Sequence, residues 1–69
     1  MSTRINGKDV ELERPTPLLD YLAGIGVDPR SIAVEHNGRI LERDEYGRTT
    51  LRDGDVVEIV RMVGGGATA

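Results

Sequence analysis

Residues 53–63 of the chain are DGDVVEIVRMV, a turn signal followed by a run rich in β-branched residues. Aspartate and glycine favour tight turns, whereas valine and isoleucine favour extended strands. Apolar residues occupy neighbouring positions in this run, which indicates that both faces of the strand are at least partly covered. The stretch therefore predicts a central β-strand, and the glycine run at residues 64–66 follows it directly.

Two Asn-Gly pairs predict β-hairpins nearer the N-terminus. Asn6-Gly7 lies within an alternating segment at residues 3–12, and Asn37-Gly38 separates the strand at residues 32–36 from a brief return strand at 39–41. Asn-Gly readily adopts the positive φ angles that a two-residue hairpin turn requires. Each pair is therefore expected to reverse the chain between two paired strands.

A short helix of about nine residues is predicted between the two hairpins. Thr16 is expected to be its N-cap, with Pro17 at the first helical position. Leu18, Leu19, Leu22 and Ile25 are spaced like one apolar helical face, which should cover the sheet. Residues 42–50 are charged and irregular, and should form a loop or a single helical turn anchored by Tyr46.

The order of these elements predicts an α+β domain with one helix packed across a mixed sheet. This is the plan of the β-grasp, or ubiquitin-like, fold, in which the last strand is central and parallel to the first. Residues 1–63 are assigned to the β-grasp domain, and residues 64–69 to a flexible Gly-rich tail without apolar anchors. The residues expected to be buried are Ile5, Val10, Leu18, Leu22, Ile25, Val34, Val57 and Ile59.

The composition of the chain excludes several classes of function. It has 69 residues, no cysteine and a formal net charge of −3, so a disulfide, a cysteine zinc site and a thiol nucleophile are ruled out. The lone His36 does not make a metal site by itself. The acidic balance opposes nucleic-acid binding. With no apolar run near the ~20 residues of a membrane span, we expect a cytoplasmic protein that does not contact membranes and is monomeric when free.

No catalytic residues are expected in this chain. Ser31 and His36 should point to opposite faces of a strand, so they do not form a nucleophile–base pair. The acidic pairs at residues 44–45 and 53–55 lie in loops or turns, where solubility and turn formation explain them. The glycine run alone fits an ordinary terminal tail, but it also lets a backbone thread a narrow channel and deliver a carboxylate.

The segments of the chain, taken in order, resemble one known family. These segments are Ile5-Asn6-Gly7, TPLLDYL at 16–22, IAVEHNG at 32–38, RDEY at 43–46, LRDGDVVEIV at 51–60 and VGGG at 63–66. Together they are similar to the ThiS family, the sulfur carriers of thiamine-thiazole synthesis. The resemblance spans residues 3–66, and its ordered set of motifs ending in glycine makes it specific.

The resemblance implies chemistry that partner enzymes perform on the tail. A ThiF-like adenylyltransferase would use ATP to adenylate the carboxylate of Gly66, and sulfur from a cysteine desulfurase would convert it to a thiocarboxylate. A ThiG-like thiazole synthase would then receive the sulfur. Gly64 and Gly65 would thread into the partner, and the carrier itself would bind no cofactor.

The chain departs from the family pattern at its end, where Ala67-Thr68-Ala69 follows Gly66. A protease would have to remove these residues, unless they are a remnant of cloning. The resemblance also leaves other pathways open: a carrier for molybdopterin (MoaD-like), cysteine, thiosugar or tRNA thiolation, or a ubiquitin-like modifier joined to protein lysines.

The alternation of the last strand predicts a surface for partners beside the tail. If Val57 and Ile59 face the helix, Val60 and Met62 face the opposite side of the sheet. An exposed apolar spot there would suit docking. Coverage of the two side chains by neighbouring strands and arginines is the alternative.

Overall fold

The computed structural model describes residues 1–62, so the predicted tail at 64–69 lies outside the described residues. Seven strands and one α-helix are present in this part of the chain, with a 3₁₀ helix at Pro29–Ser31 and another at Arg43–Arg48. Their bounds are β1 Ser2–Ile5, β2 Lys8–Glu11, β3 Thr16–Pro17, α1 Leu18–Gly24, β4 Ile32–His36, β5 Arg39–Ile40, β6 Thr50–Leu51 and β7 Val56–Arg61.

The main sheet has five strands in the order β2-β1-β7-β4-β5. Strand β7 is therefore central, and it runs parallel to β1 and antiparallel to β4. Strands β3 and β6 form a separate two-stranded sheet. This topology, with one α-helix on a mixed sheet, confirms the predicted β-grasp architecture and the central position of the last strand.

Both Asn-Gly hairpins are confirmed. Asn6 and Gly7 have φ values of 52° and 80°, and Asn37 and Gly38 have values of 52° and 86°. Two consecutive positive φ angles are the geometry that asparagine and glycine tolerate best. The local sequence therefore fixes both reversals of the chain.

The core lies between α1 and the inner face of the main sheet. Residues with almost no exposed surface include Leu18 and Leu22 from the helix and Val34 and Val57 from the central strands. Val10 and Ile59 are half-buried and pack against the same cluster. The remaining buried apolar residues are Ile5, Ile32, Leu41, Tyr46 and Leu51.

The predicted start of the helix is wrong. Thr16 and Pro17 form β3 and pair with Leu51 and Thr50 of β6, and the N-cap is Pro17, which offers no side-chain hydrogen bond. The N–H of Leu18 donates instead to the carbonyl of Thr49 at 2.9 Å. Tertiary pairing therefore satisfies a donor that we expected Thr16 to cap, and the helix has 7 residues rather than about nine.

No helix within residues 1–62 is long and apolar enough to cross a membrane.

The prediction that Ile25 is buried is also wrong, since half of this residue is exposed. The helix ends at Gly24, and Gly26 has a φ of 76°. The N–H of Gly26 donates to Ala23 and that of Val27 to Leu22, which is the hydrogen-bond pattern of a Schellman motif. In this motif the residue after the left-handed glycine makes the apolar contact, so Val27 packs against the core in place of Ile25.

Leu19, unlike Leu18 and Leu22 of the same helix, lies outside the core. It is 40% exposed and faces the flank of the helix, where its Cδ1 atom lies near Gly47 of the second 3₁₀ helix. That 3₁₀ helix has 6 residues and stands where a loop or a single helical turn was predicted. Tyr46 anchors it as expected: the ring is buried and the hydroxyl donates to the carbonyl of Ile32 at 3.2 Å.

Candidate functional site

The chain leaves the sheet from its central strand, at a position fixed by hydrogen bonds. Arg61 pairs with Ile32 at the end of β7, and the N–H of Met62 donates to the carbonyl of Ser31 at 2.9 Å. The backbone is thus held up to the last described residue. The sequence-predicted site residues Gly64, Gly65 and Gly66 lie outside the described residues, and their roles stay predictions.

Val60 and Met62 lie on the sheet face opposite α1, which we call the outer face. Val60 is 58% exposed and Met62 is 46% exposed, while Val57 and Ile59 point toward the core. The predicted alternation along β7 is therefore correct, and neighbouring strands do not cover the two side chains. Their role as partner contacts stays a prediction.

Two further apolar residues on the outer face were not predicted. Val56 is 46% exposed and Ile40 is 70% exposed. Val56 lies four residues before Val60 on the same strand, so the period of two already placed both side chains on one face. Ile40 joins them only because it pairs with Glu35, which in turn pairs with Glu58 of β7.

The opposite side of the domain carries a groove of about 420 Å³ between the end of α1 and the β1–β2 hairpin. Its walls include Tyr21, Ile25 and Val27 from the helical side and Ile59 from β7, with Lys8 and Arg61 also lining it. The groove has no carboxylate or imidazole among its lining residues, and its ionisable groups are those of Tyr21, Lys8 and Arg61. The exposed side chain of Ile25 forms part of the wall of this groove.

His36 and Asp55 form a polar cluster at the other end of β7. The imidazole Nε2 lies 2.9 Å from the Asp55 carboxylate, which also accepts hydrogen bonds from the Asn37 side chain at 3.1 Å and the Arg52 N–H at 2.9 Å. The hydroxyl of Ser31 donates elsewhere, to the carbonyl of Asp28. Within residues 1–62 no hydroxyl hydrogen-bonds to His36, so the cluster ties β4 to the turn before β7 and does not form a catalytic triad.

The Asp55 carboxylate should make the stability of the domain depend on pH in the acid range. Partial desolvation raises its pKa, but the hydrogen bonds from His36, Asn37 and Arg52 outweigh that effect and hold the pKa below its ordinary value. A depressed folded-state pKa adds stability above the unfolded pKa of about 4, and this is lost as pH falls through the folded pKa. Urea unfolding between pH 7 and pH 3 should show this loss.

The variant Asp55→Asn is the control for that pH dependence, because an amide has a similar shape but does not titrate. We expect the variant to be less stable than the wild-type chain at pH 7, and the difference to shrink as the pH falls below about 4. A difference that stays constant over this range would contradict the assignment.

The described part of the chain offers no site for a metal ion. No group of three or more His, Asp or Glu side chains in residues 1–62 is arranged to hold one. The acidic turn residues instead serve the fold: Asp53, for example, accepts the N–H of Ser2 at 2.7 Å. What remains as a candidate site is the exit of β7 with the outer face beside it.

Comparisons with known proteins show the family to which the chain is similar. A model of the ThiS family matches residues 3–66. The sulfur carrier protein ThiS of Bacillus subtilis is 39% identical over 64 residues, which cover 91% of this chain and 97% of that protein. The crystal structure of the thiamine biosynthesis protein ThiS from Geobacter metallireducens is 33% identical, with a TM-score of 0.81 over 96% of this chain and 100% of that chain.

A second kind of relative is much longer. A thiazole synthase of Magnetococcus marinus is 36% identical over 66 residues, which cover 96% of this chain and 20% of that protein. The chain thus spans about a fifth of the length of the thiazole synthases it matches. In these relatives a region similar to this whole domain belongs to a chain named for a synthase.

Proposed function

The chain belongs to the ThiS family, and on this premise we propose that it is a sulfur carrier of thiamine biosynthesis that works through a thiocarboxylate on Gly66. The observation that carries the proposal is the family match, which covers residues 3–66 and stops at this glycine. The likeness to the Bacillus subtilis carrier, over nearly the full length of both chains, supports it.

The proposed chemistry takes place on the tail and is catalysed by partners. Hydrolysis of the Gly66–Ala67 peptide bond by a protease first frees the carboxylate of Gly66. One of its oxygens then attacks the α-phosphate of ATP, pyrophosphate leaves, and an acyl adenylate forms. A sulfur nucleophile, supplied from cysteine by a desulfurase, then attacks the activated carbonyl and displaces AMP. The nucleophile is the outer sulfur of a persulfide, so an acyl disulfide forms. A thiol then attacks the far sulfur of this S–S bond, whose electron pair leaves with the glycyl thiocarboxylate, and a new disulfide forms. A ThiF-like adenylyltransferase would catalyse the adenylation, and we propose that it does so in the cytoplasm, where ATP is available.

The described domain fits the role of a substrate rather than a catalyst. Its His36–Asp55 pair holds two elements together, and no carboxylate or imidazole lines its groove. The central strand instead provides a hydrogen-bonded base from which the glycines extend. A carrier needs a rigid domain for recognition and a slim reactive end, and the chain supplies both.

We infer that the acceptor of the sulfur is a thiazole synthase. Support comes from the relatives named thiazole synthase, in which a region like this domain forms about a fifth of the chain. A link within one chain raises the local concentration of two modules that act together.

Intact-mass analysis tests the carrier function directly. The chain ending at Gly66 is incubated with a ThiF-like enzyme, ATP, a cysteine desulfurase and cysteine. We expect a mass increase that corresponds to the replacement of one oxygen by sulfur. Branched conjugates with protein lysines and no sulfur product in the native cells would favour the ubiquitin-like modifier instead.

Val60 and Met62 should contribute to docking on the thiazole synthase. Replacing each by serine should weaken binding roughly tenfold, because exposed apolar side chains beside the reactive end lose their contacts. Isothermal titration calorimetry measures the change. Ile25→Ser is the matched control, since Ile25 is 50% exposed but lies away from the outer face. Equal losses in all three variants would contradict a role for the outer face.

A further inference from the structure

Two glutamates lie side by side in the middle of the outer face. Glu35 of β4 and Glu58 of β7 are paired directly opposite each other in the antiparallel register. Side chains at such positions have Cβ atoms about 4.5–5.5 Å apart. Glu58 is exposed and Glu35 is half-buried, so the register brings two carboxylates to one spot on the surface.

Neither glutamate forms a salt bridge within the described residues. Arg4 pairs with Val56 in the sheet, and its guanidinium lies 3.3 Å from Asp9. Arg39 pairs with Glu45 at 3.0 Å, and Arg61 lines the groove on the other side of the sheet. Residues 63–69 contain no lysine or arginine. Like charges placed directly opposite each other destabilise a sheet, so the pair costs the free domain stability.

Apolar side chains border the glutamates on both sides along the strands. Val56 lies toward one end of the outer face, and Val60 and Met62 lie toward the other; Ile40 lies beside Glu35 on the neighbouring strand β5. Exposed apolar groups that are contiguous on a sheet mark an interaction surface. Two carboxylates inside such a surface complement a planar cation, because the guanidinium of arginine donates several hydrogen bonds in a fixed fork.

We propose that the partner protein that covers the outer face places an arginine between Glu35 and Glu58, surrounded by apolar contacts to Val56, Val60 and Met62. This inference rests on the proposed function, in which the partner is a thiazole synthase. The arginine meets two carboxylates at once, and the surrounding apolar contacts exclude water, which strengthens the charge interaction. The occupant is therefore a protein surface with a basic centre and an apolar border.

The arrangement has opposite consequences for the free domain and for the complex. Neutralising either glutamate removes the repulsion in the free domain, so its melting temperature should stay the same or rise by up to about 5 °C. The same change removes one partner of the arginine and weakens the complex. A residue that only supports the fold would instead lose stability and affinity together.

The experiment uses Glu35→Gln, Glu58→Gln and the double variant with the cognate thiazole synthase. Calorimetry should show that each single change weakens binding roughly tenfold, and that the double variant binds still more weakly, with a shallower dependence of affinity on salt. Asp44→Asn is the matched control: it removes the same charge from an exposed residue of the second 3₁₀ helix. It should leave both the affinity and the salt dependence within about twofold of wild type.

Four results would overturn the inference. Wild-type affinity in the double variant would show that no cation lies between the glutamates. An equal loss of affinity in Asp44→Asn would show that the effect comes from net charge alone. Lower melting temperatures in the glutamine variants would show that the two glutamates stabilise the fold. If the wild-type carrier itself failed to bind the synthase, the proposed acceptor would be wrong, and so would the proposed contact of its arginine with Glu35 and Glu58. The mass assay for the thiocarboxylate would still report separately on the carrier function.

Discussion

The chain that ends at Gly66 should accept AMP and sulfur, whereas the 69-residue chain should accept neither. In the longer chain the carbonyl of Gly66 belongs to a peptide bond with Ala67, so it has no free oxygen nucleophile. The only free main-chain carboxylate lies three residues further on, and each residue moves it by up to about 3.5 Å. Such a displacement destroys the near-attack geometry on which adenylation depends. Intact-mass analysis after incubation with a ThiF-like enzyme measures both products.

Replacing Gly65 by valine in the shortened chain tests whether the tail must pass through a narrow channel of the partner enzyme. It leaves the proposed reactive residue, Gly66, unchanged. The Cβ branches of the valine restrict φ and widen the tail, so activation should fall sharply while the melting temperature stays unchanged. If the chain with Ala69 retained were activated as readily as the shortened one, Gly66 would not be the reactive residue. If Gly65→Val reacted normally, threading through a narrow channel would be wrong.

Leu22→Ala should remove a large share of the stability of the domain. Leu22 has no exposed surface and lies in the cluster between α1 and the sheet. Truncating a fully buried leucine costs about 2–5 kcal/mol, because transfer energy is lost and a cavity remains. A domain of this size has a total stability near the low end of about 5–15 kcal/mol. Urea unfolding monitored by circular dichroism measures the change.

Leu19→Ala on the same helix is the matched control. It makes the same chemical change at a residue that is 40% exposed, so we expect a cost below about 1 kcal/mol. Equal costs in the two variants would mean that the helix does not pack on the sheet in the observed orientation. The pair therefore tests the rotation of α1 about its own axis.

Local turn chemistry and strand periodicity were sufficient to predict most of the fold. The positive φ angles at Asn6 and Asn37 follow from the residue types themselves. The inward positions of Val57 and Ile59, and the outward positions of Val60 and Met62, follow from a period of two along one strand. These features depend only on residues close together in the chain, so the sequence determined them.

Predictions at the ends of the helix failed because distant segments compete with local signals. Thr16 has the chemistry of an N-cap, but β6 pairs with it and the Thr49 carbonyl satisfies the first helical N–H. Ile25 fits the helical spacing, but the turn at Gly26 gives its apolar contact to Val27. Neither outcome follows from propensities, because each depends on where other backbone groups lie.

The sequence by itself determined the β-grasp architecture, the strand that carries the tail, and the glycine at which the family resemblance ends. Only the tertiary structure placed Glu35 opposite Glu58, brought Ile40 to the outer face, and joined His36 to Asp55. The physical reason is that the register between β4 and β7 aligns residues that lie far apart in the chain, Glu35 with Glu58 and His36 with the turn before β7. A slip of one residue between these strands would turn one glutamate to the other face of the sheet, so the docking surface depends on the alignment of whole strands.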